Sequence, residues 1–178
     1  MFNRLSSLDA WLDGVCVSGG EPTLSTGLPE LCRKIKDAGL LCKLDTNGSR
    51  PGVIKALLAA DLLDFIAMDV KAPLRAEPYE RCAGVKVDLA AIKESMDLIR
   101  AAGILHQFRT TYHPSLLSES EVIELAQLFF LEDKPLLQKA RPLGALSVNF
   151  RCKQEVSLQQ YQQVVLTMRQ LYKKNKKE

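Results

Sequence analysis

The sequence has no CxxC and no CxxxCxxC spacing anywhere along its length. Its five cysteines (Cys16, Cys32, Cys42, Cys82 and Cys152) are odd in number and far apart, which excludes a disulfide framework and a zinc ribbon. Cys16, Cys32 and Cys42 stand where a strand or helix takes a small apolar residue, so core filling is expected of all three. No apolar run is long enough to span a bilayer. No basic segment followed by an apolar stretch opens the sequence, so no secretory signal is seen and a cytoplasmic, non-membrane protein is expected. A strong charge of either sign is lacking too. The net charge is +3, and the last six residues, Lys173 to Glu178, hold four Lys and one Glu. The remainder is balanced, which leaves no electrostatic footprint for nucleic acid. The basic tail over 173–178 reads as a solvated helix end, with phosphate binding as the weaker alternative.

What is present suits one domain over residues 1–178, long enough to bury a core. The chain is organised around Val15-Cys16-Val17-Ser18-Gly19-Gly20-Glu21-Pro22. A short strand there opens into two glycines, whose backbone can approach a ligand closely, and one carboxylate, held extended by the proline after it. Taken alone, this is equally a strand-to-helix turn. The periodicity predicts a helix ending over 5–13, strands over 15–17, 40–44, 64–70, 104–112 and 136–140, and helices over 27–38, 51–60, 89–102, 119–131 and from Ser157 to about Lys173. Asp88 caps the third of these, and Ser118 with Glu121 forms a capping box for the fourth. Residues 72–87 read as a long loop.

Strands and helices alternating with short connections predict an α/β fold with a parallel sheet. The unusual polar residues (Glu21, Asp45, Asp69, Lys71 and Arg109) all fall at C-terminal strand ends, which share one rim in such folds. Asp69 and Lys71 are two apart and point the same way. That convergence predicts a site.

Gly19-Gly20-Glu21-Pro22, Asp45-Thr46-Asn47-Gly48, Met68-Asp69-Val70-Lys71 and Arg109, in this order at successive strand ends, resemble the radical S-adenosylmethionine (SAM) enzymes. The likeness is greatest to activating proteins of glycyl radical enzymes. Tyr79 to Val85 and Leu137 to Pro142 look most like activators of the anaerobic ribonucleotide reductase. The resemblance implies a partial (β/α) barrel, here of about five units. It implies that Gly19, Gly20 and Glu21 hold the amino group of SAM, that Asp69, Lys71 and Arg109 contact its carboxylate and ribose, and that Asp45 and Thr46 stand near a monovalent cation. Chemically this suits SAM: Glu21 offers a carboxylate to the ammonium, Lys71 and Arg109 cations to the carboxylate. The implied partner is a glycyl radical enzyme.

The sequence departs from the family at the cluster. Members hold a [4Fe–4S] cluster by CxxxCxxC after their first strand, and none of the five cysteines here has that spacing. No cluster ligand and no catalytic residue is therefore assigned, and Cys82 reads as a packing residue. The chain starts within the helix that should follow the cluster loop, so an N-terminally shortened member without the first βα unit is expected, with β-edge groups at residues 15–17 left open. Two readings follow: an activase inactive without its cluster segment, or a non-catalytic SAM-binding module. More remote is an aldolase-like barrel using Lys71 as a Schiff-base amine.

Overall fold

The computed structural model describes residues 12–129, 133, 135–141, 148–151 and 153–174. Five strands, β1 (Gly14–Val17), β2 (Leu41–Thr46), β3 (Phe65–Asp69), β4 (Leu105–Tyr112) and β5 (Leu136–Lys139), alternate with helices. They form a parallel sheet in the order β1-β2-β3-β4-β5, the α/β arrangement expected. The residues form two compact units. One runs to Val70 and includes Asp88–Phe108; the other comprises Lys71–Val87 and the chain from Arg109 onward.

In the first unit, helix α1 (Leu28–Asp37) connects β1 to β2, and α2 (Pro51–Ala59) connects β2 to β3. Each begins with a proline in its first turn, where the missing N–H costs nothing. Leu28, Cys32 and Ile35 of α1 and Ile54 and Leu57 of α2 are buried, a stripe at i, i+4, i+7 spacing and a pair three apart. Parallel crossovers share one hand, so a strand order that never reverses puts both helices on the same face of β1-β2-β3. The strands record this. Cys42, Leu44, Ile66 and Met68 are fully buried, whereas Leu41 on the opposite face is 56% exposed.

That two-faced pattern corrects one expectation. Cys32 and Cys42 fill the core as predicted, but Cys16 is exposed. It pairs in register with Lys43, and side chains alternate along a strand, so Cys16 lies on the face that no helix of this crossover pattern covers. Strand β2 also runs two residues further than the sequence suggests, because Asp45 and Thr46 pair with Ala67 and Met68.

Helix α4 (Leu89–Ala101) completes this unit. Asp88 caps it, accepting from the amides of Ala90 and Ala91 at 3.0 and 3.2 Å, and Ile92, Ser95, Met96 and Ile99 are its buried positions.

The second unit holds a helix where the sequence suggested only loop: α3 (Ala76–Ala83). Pro78 and the short span disguise it, and Gly84 ends it in the left-handed region at φ 74°, where glycine carries no Cβ penalty. Its anchors are tertiary. Arg75 pairs with Glu124 at 2.9 Å, and Arg81 pairs with Glu77 and with Glu121 (2.6 Å) and donates to the Leu116 carbonyl. Helix α5 (Glu119–Leu128) carries the expected Ser118–Glu121 capping box. A short helix, α6 (Val148–Arg151), precedes α7 (Leu158–Lys174), and Tyr161 of α7 donates to the Leu137 carbonyl of β5 at 2.5 Å.

The predicted helix over 5–13 lies outside the described residues except for Leu12 and Asp13, which are not helical. Cys152, the 142–147 stretch and the tail over 175–178 also lie outside them. Among the described residues no helix is long and apolar enough to cross a membrane.

Asp64 ties the first unit together. Its carboxylate accepts from Lys36 Nζ at 2.6 Å and from the Cys42 amide at 2.7 Å. Partial burial raises its pKa, but these two bonds outweigh that and leave it below the ordinary value of 3.8. A carboxylate with a depressed folded pKa contributes stability above its unfolded pKa and loses it as pH falls through the folded value. Replacement D64N should cost about 1.5 kcal/mol at neutral pH. Chemical denaturation across pH should show the gap from wild type constant above pH ~5 and closing in acid.

Candidate functional site

The mouth at the end of β1 is built by Glu21. Gly19 and Gly20 precede it at φ 108° and 57°, backbone angles that side chains resist. Space is open where a Cβ would stand on either glycine. Glu21 itself is extended (φ −125°, ψ 104°) and opens a 3₁₀ turn over Pro22–Leu24, so the strand-to-turn reading and the site reading describe the same atoms.

Its carboxylate is heavily used. Oε1 accepts from the Thr23 amide at 3.1 Å, the Thr23 hydroxyl at 2.6 Å and the Thr46 hydroxyl at 2.7 Å. Oε2 accepts from the Asn47 amide at 2.6 Å. A carboxylate offers about four acceptor positions. Glu21 thus spends Oε1 on the protein and keeps room for a further donor only on Oε2. Thr23 and Thr46 are both buried. Glu21 is a brace between the ends of β1 and β2 as much as a ligand group.

Asp45 and Thr46 part company. Adjacent strand residues point to opposite faces, and while Thr46 turns to Glu21, the Asp45 carboxylate lies 3.2 Å from Lys43 Nζ and accepts from the Cys16 thiol at 3.6 Å. Asp69, half-buried, ends β3 one residue past the Thr46–Met68 pair, on the same face as Asp45 by alternation. The first unit therefore assembles Gly19, Gly20, Glu21, Asp45, Thr46 and Asp69 at parallel strand ends. The second unit carries the other two predicted residues. Lys71 is its first residue, half-buried, and Arg109 lies within β4, in register with Leu136 of β5, and not at the strand's C-terminal end as expected, because β4 runs on to Tyr112.

Sequence reasoning missed three contributors: Thr23, the Asn47 amide and Ser95. The Asn47-Gly48 turn is where Ser95 enters. Its hydroxyl, fully buried, donates to the Gly48 carbonyl at 2.7 Å. Gly48 is confined to glycine by φ 75°, and the end of the Met68 side chain lies where a Cβ would sit. The available signal was a serine within the apolar stripe Ile92, Met96, Ile99.

A parallel sheet with a glycine-and-carboxylate mouth at its strand ends defines a ligand-binding domain of the α/β class. The radical SAM superfamily profile matches residues 3–129, and the chain belongs to that superfamily. It is 31% identical, over 85% of its own length, to a protein of Methanocaldococcus jannaschii carrying the name "Putative glycyl-radical enzyme activating enzyme". A second protein of that name in the same organism is 28% identical over 70% of the chain. The chain spans 63% and 48% of the length of these curated relatives. Among solved structures, a domain of pyruvate-formate lyase-activating enzyme from Bacteroides vulgatus superposes with TM-score 0.69 at 15% identity, covering 89% of this chain and 94% of that one. At that identity the likeness speaks for the fold.

Membership in the superfamily implies SAM and a [4Fe–4S] cluster. The mouth fits SAM: open space faces two glycines and an acceptor position remains on Glu21. The described cysteines do not fit the cluster. Cys32 and Cys42 are buried against each other, and the Cys32 thiol together with burial keeps Cys42 protonated by raising its pKa. Cys82 donates to the Leu116 carbonyl at 3.4 Å, and burial pushes its thiol up to about 11, in keeping with the packing role expected of it. Cys16 is occupied with Asp45. Among the described residues no group of three His, Cys, Asp or Glu side chains could hold a metal.

Replacement E21Q tests the brace. A glutamine amide would turn an NH₂ donor toward either Thr23 and Thr46 or the Asn47 amide, leaving buried donors facing a donor. The expected cost is about 1–3 kcal/mol, read as a lowered denaturation midpoint without any ligand.

Proposed function

We propose that this chain is the SAM-binding part of a glycyl-radical-enzyme activating protein, with an anaerobic ribonucleotide reductase as the partner. The observation that carries the reading is the braced Gly19-Gly20-Glu21 mouth at parallel strand ends in a radical SAM chain. The 31% identity to a relative named for glycyl-radical-enzyme activation supports the activase class. The Tyr79–Val85 and Leu137–Pro142 stretches support the reductase as target.

In this reading the glycine backbone and Glu21 Oε2 take the ammonium of SAM. Lys71 and Arg109 supply the cations for its carboxylate, and Asp69 a carboxylate acceptor for its ribose hydroxyls. A monovalent cation near Asp45 and Thr46 would find the Asp45 carboxylate on the sheet face opposite the Thr46 hydroxyl. The chemistry supplied by a bound cluster in this superfamily is one-electron reduction of the sulfonium, and this chain's own residues serve to hold and orient the substrate.

Isothermal titration with SAM tests the binding roles. K71A should weaken binding by about 1.5–3 kcal/mol, the scale of a hydrogen bond to a charged group. R109K should also weaken it, because a planar fork becomes a point charge. Unchanged affinity in both variants counts against the assignment.

The placement of the cysteines favours a second reading for the 178-residue chain by itself: SAM binding without cleavage. Three thiolates must converge to hold a [4Fe–4S] cluster, and Cys16, Cys32, Cys42 and Cys82 are committed elsewhere. After anaerobic iron and sulfide reconstitution the chain should remain colourless and form no 5′-deoxyadenosine with dithionite. A brown protein that cleaves SAM would refute this placement.

A further inference from the structure

Ser95 is a polar side chain in the wrong company. It occupies the buried stripe of α4 with Ile92, Met96 and Ile99, and none of its surface reaches solvent. A buried hydroxyl is costly unless it is bonded. Ser95 meets that cost by donating to the Gly48 carbonyl at 2.7 Å, across 47 positions of sequence.

What lies beyond Gly48 makes the bond more than a packing detail. The Gly48 amide donates to Thr46 Oγ1 at 3.1 Å. Accepting that bond orients the Thr46 hydroxyl, which donates its proton to Glu21 Oε1 at 2.7 Å. One residue back, the Asn47 amide donates to Glu21 Oε2 at 2.6 Å. The peptide units before and after Asn47 are thus tied to Glu21 and to Thr46, and Ser95 holds the next one, between Gly48 and Ser49. The Asn47 side chain closes the turn, accepting from the Ser49 amide at 2.9 Å. The end of the Met68 side chain, from β3, fills the place a Cβ on Gly48 would take.

We infer that Ser95 is a positioning residue for the mouth: through Gly48, Thr46 and Asn47 it sets the orientation of the Glu21 carboxylate and of the glycine backbone preceding it. Helix α4 touches no predicted ligand-binding residue through this hydroxyl, so the effect passes wholly through the turn. The Gly48–Thr46 and Thr46–Glu21 bonds share the Thr46 hydroxyl and reinforce one another in a low-dielectric interior, and Ser95 acts on them by holding the Gly48 backbone. Loss of the first member loosens those that follow. For SAM affinity the inference rests on the proposed SAM-binding reading; for the geometry of the mouth it stands without it.

The test uses amide hydrogen exchange by NMR on the full chain, with no ligand. In S95A the Asn47 and Thr23 amides, both bonded to Glu21, should exchange about tenfold faster relative to the global unfolding rate, the equivalent of one lost buried hydrogen bond. The control I92V loosens the same helix face by a methyl group, and it should leave that ratio unchanged. S95C, nearly isosteric with a weak S–H donor, should fall between and serves if S95A does not fold. SAM titration is the second arm, with affinity expected to fall about tenfold in S95A and not in I92V. Wild-type chain that binds no SAM sinks the SAM reading, while the exchange result still decides the role of Ser95. Unaltered exchange at Asn47 and Thr23 in both serine variants, or equal acceleration in I92V, overturns the inference.

Discussion

The candidate site depends on one carboxylate being shared between two strand ends. Adjacent parallel strands are joined by their backbone ladder, but the ladder stops where the loops begin, and loop backbone must find other partners. Glu21 supplies them. It takes both donors of Thr23, the hydroxyl of Thr46 and the amide of Asn47. A single ionised group thereby closes the turn after β1 and fastens it to the turn after β2. Charge-assisted bonds of this kind are stronger than neutral ones, and the glycines before Glu21 inherit a fixed orientation while carrying no side chains of their own.

The second constraint is the direction in which the strands are added. Because β1, β2 and β3 follow one another without reversal, their connecting helices gather on one face and seal Cys42, Leu44, Ile66 and Met68 into a core. On the opposite face of these strands Cys16, Lys43 and Asp45 form a bonded set beside Leu41, Phe65 and Ala67. The same geometry decides the fate of the thiols. Two are locked in the core beneath the helices and one is bonded on the open face, so they cannot act together. The fourth described cysteine, in the second unit, is bonded to a carbonyl and held protonated. The described residues thus hold the Glu21 mouth without a set of three convergent thiolates.

The second unit is fastened by a different kind of interaction. Helix α3 is short and carries a proline near its start, and it has little intrinsic tendency to form alone. Arg75 and Arg81 reach from it to Glu124, Glu121 and the Leu116 carbonyl. Glu121 is at once the reciprocal partner in the cap of α5 and the anchor of Arg81. The Tyr79–Val85 motif is therefore partly structural: Tyr79 is buried and Arg81 is committed to the anchor, while Val85 stays exposed.

By itself the sequence determined the fold class, the strand order of motifs and most of the helices. Each of these is written in short-range signals: periodicity, Asp88 and Ser118 as caps, prolines at helix starts, glycines after strands. It also located the mouth, since two adjacent glycines before a lone carboxylate are visible without coordinates. Tertiary structure decided what the mouth's residues do. That Asp45 and Thr46 turn opposite ways follows only once β2 runs through Thr46, and that Thr46 meets Glu21 depends on how the end of β1 lies beside β2. Cys16 resembled Cys32 and Cys42 as a small apolar residue, and only the one-sided placement of the helices left it exposed. Helix α3 escaped because what holds it is tertiary: Pro78 and Tyr79 are buried, and its ion-pair partners lie some 40 to 50 positions distant in the chain. Ser95 escaped for the same reason, since its partner lies 47 residues away, and a hydrogen bond of that range exists only once the chain has folded.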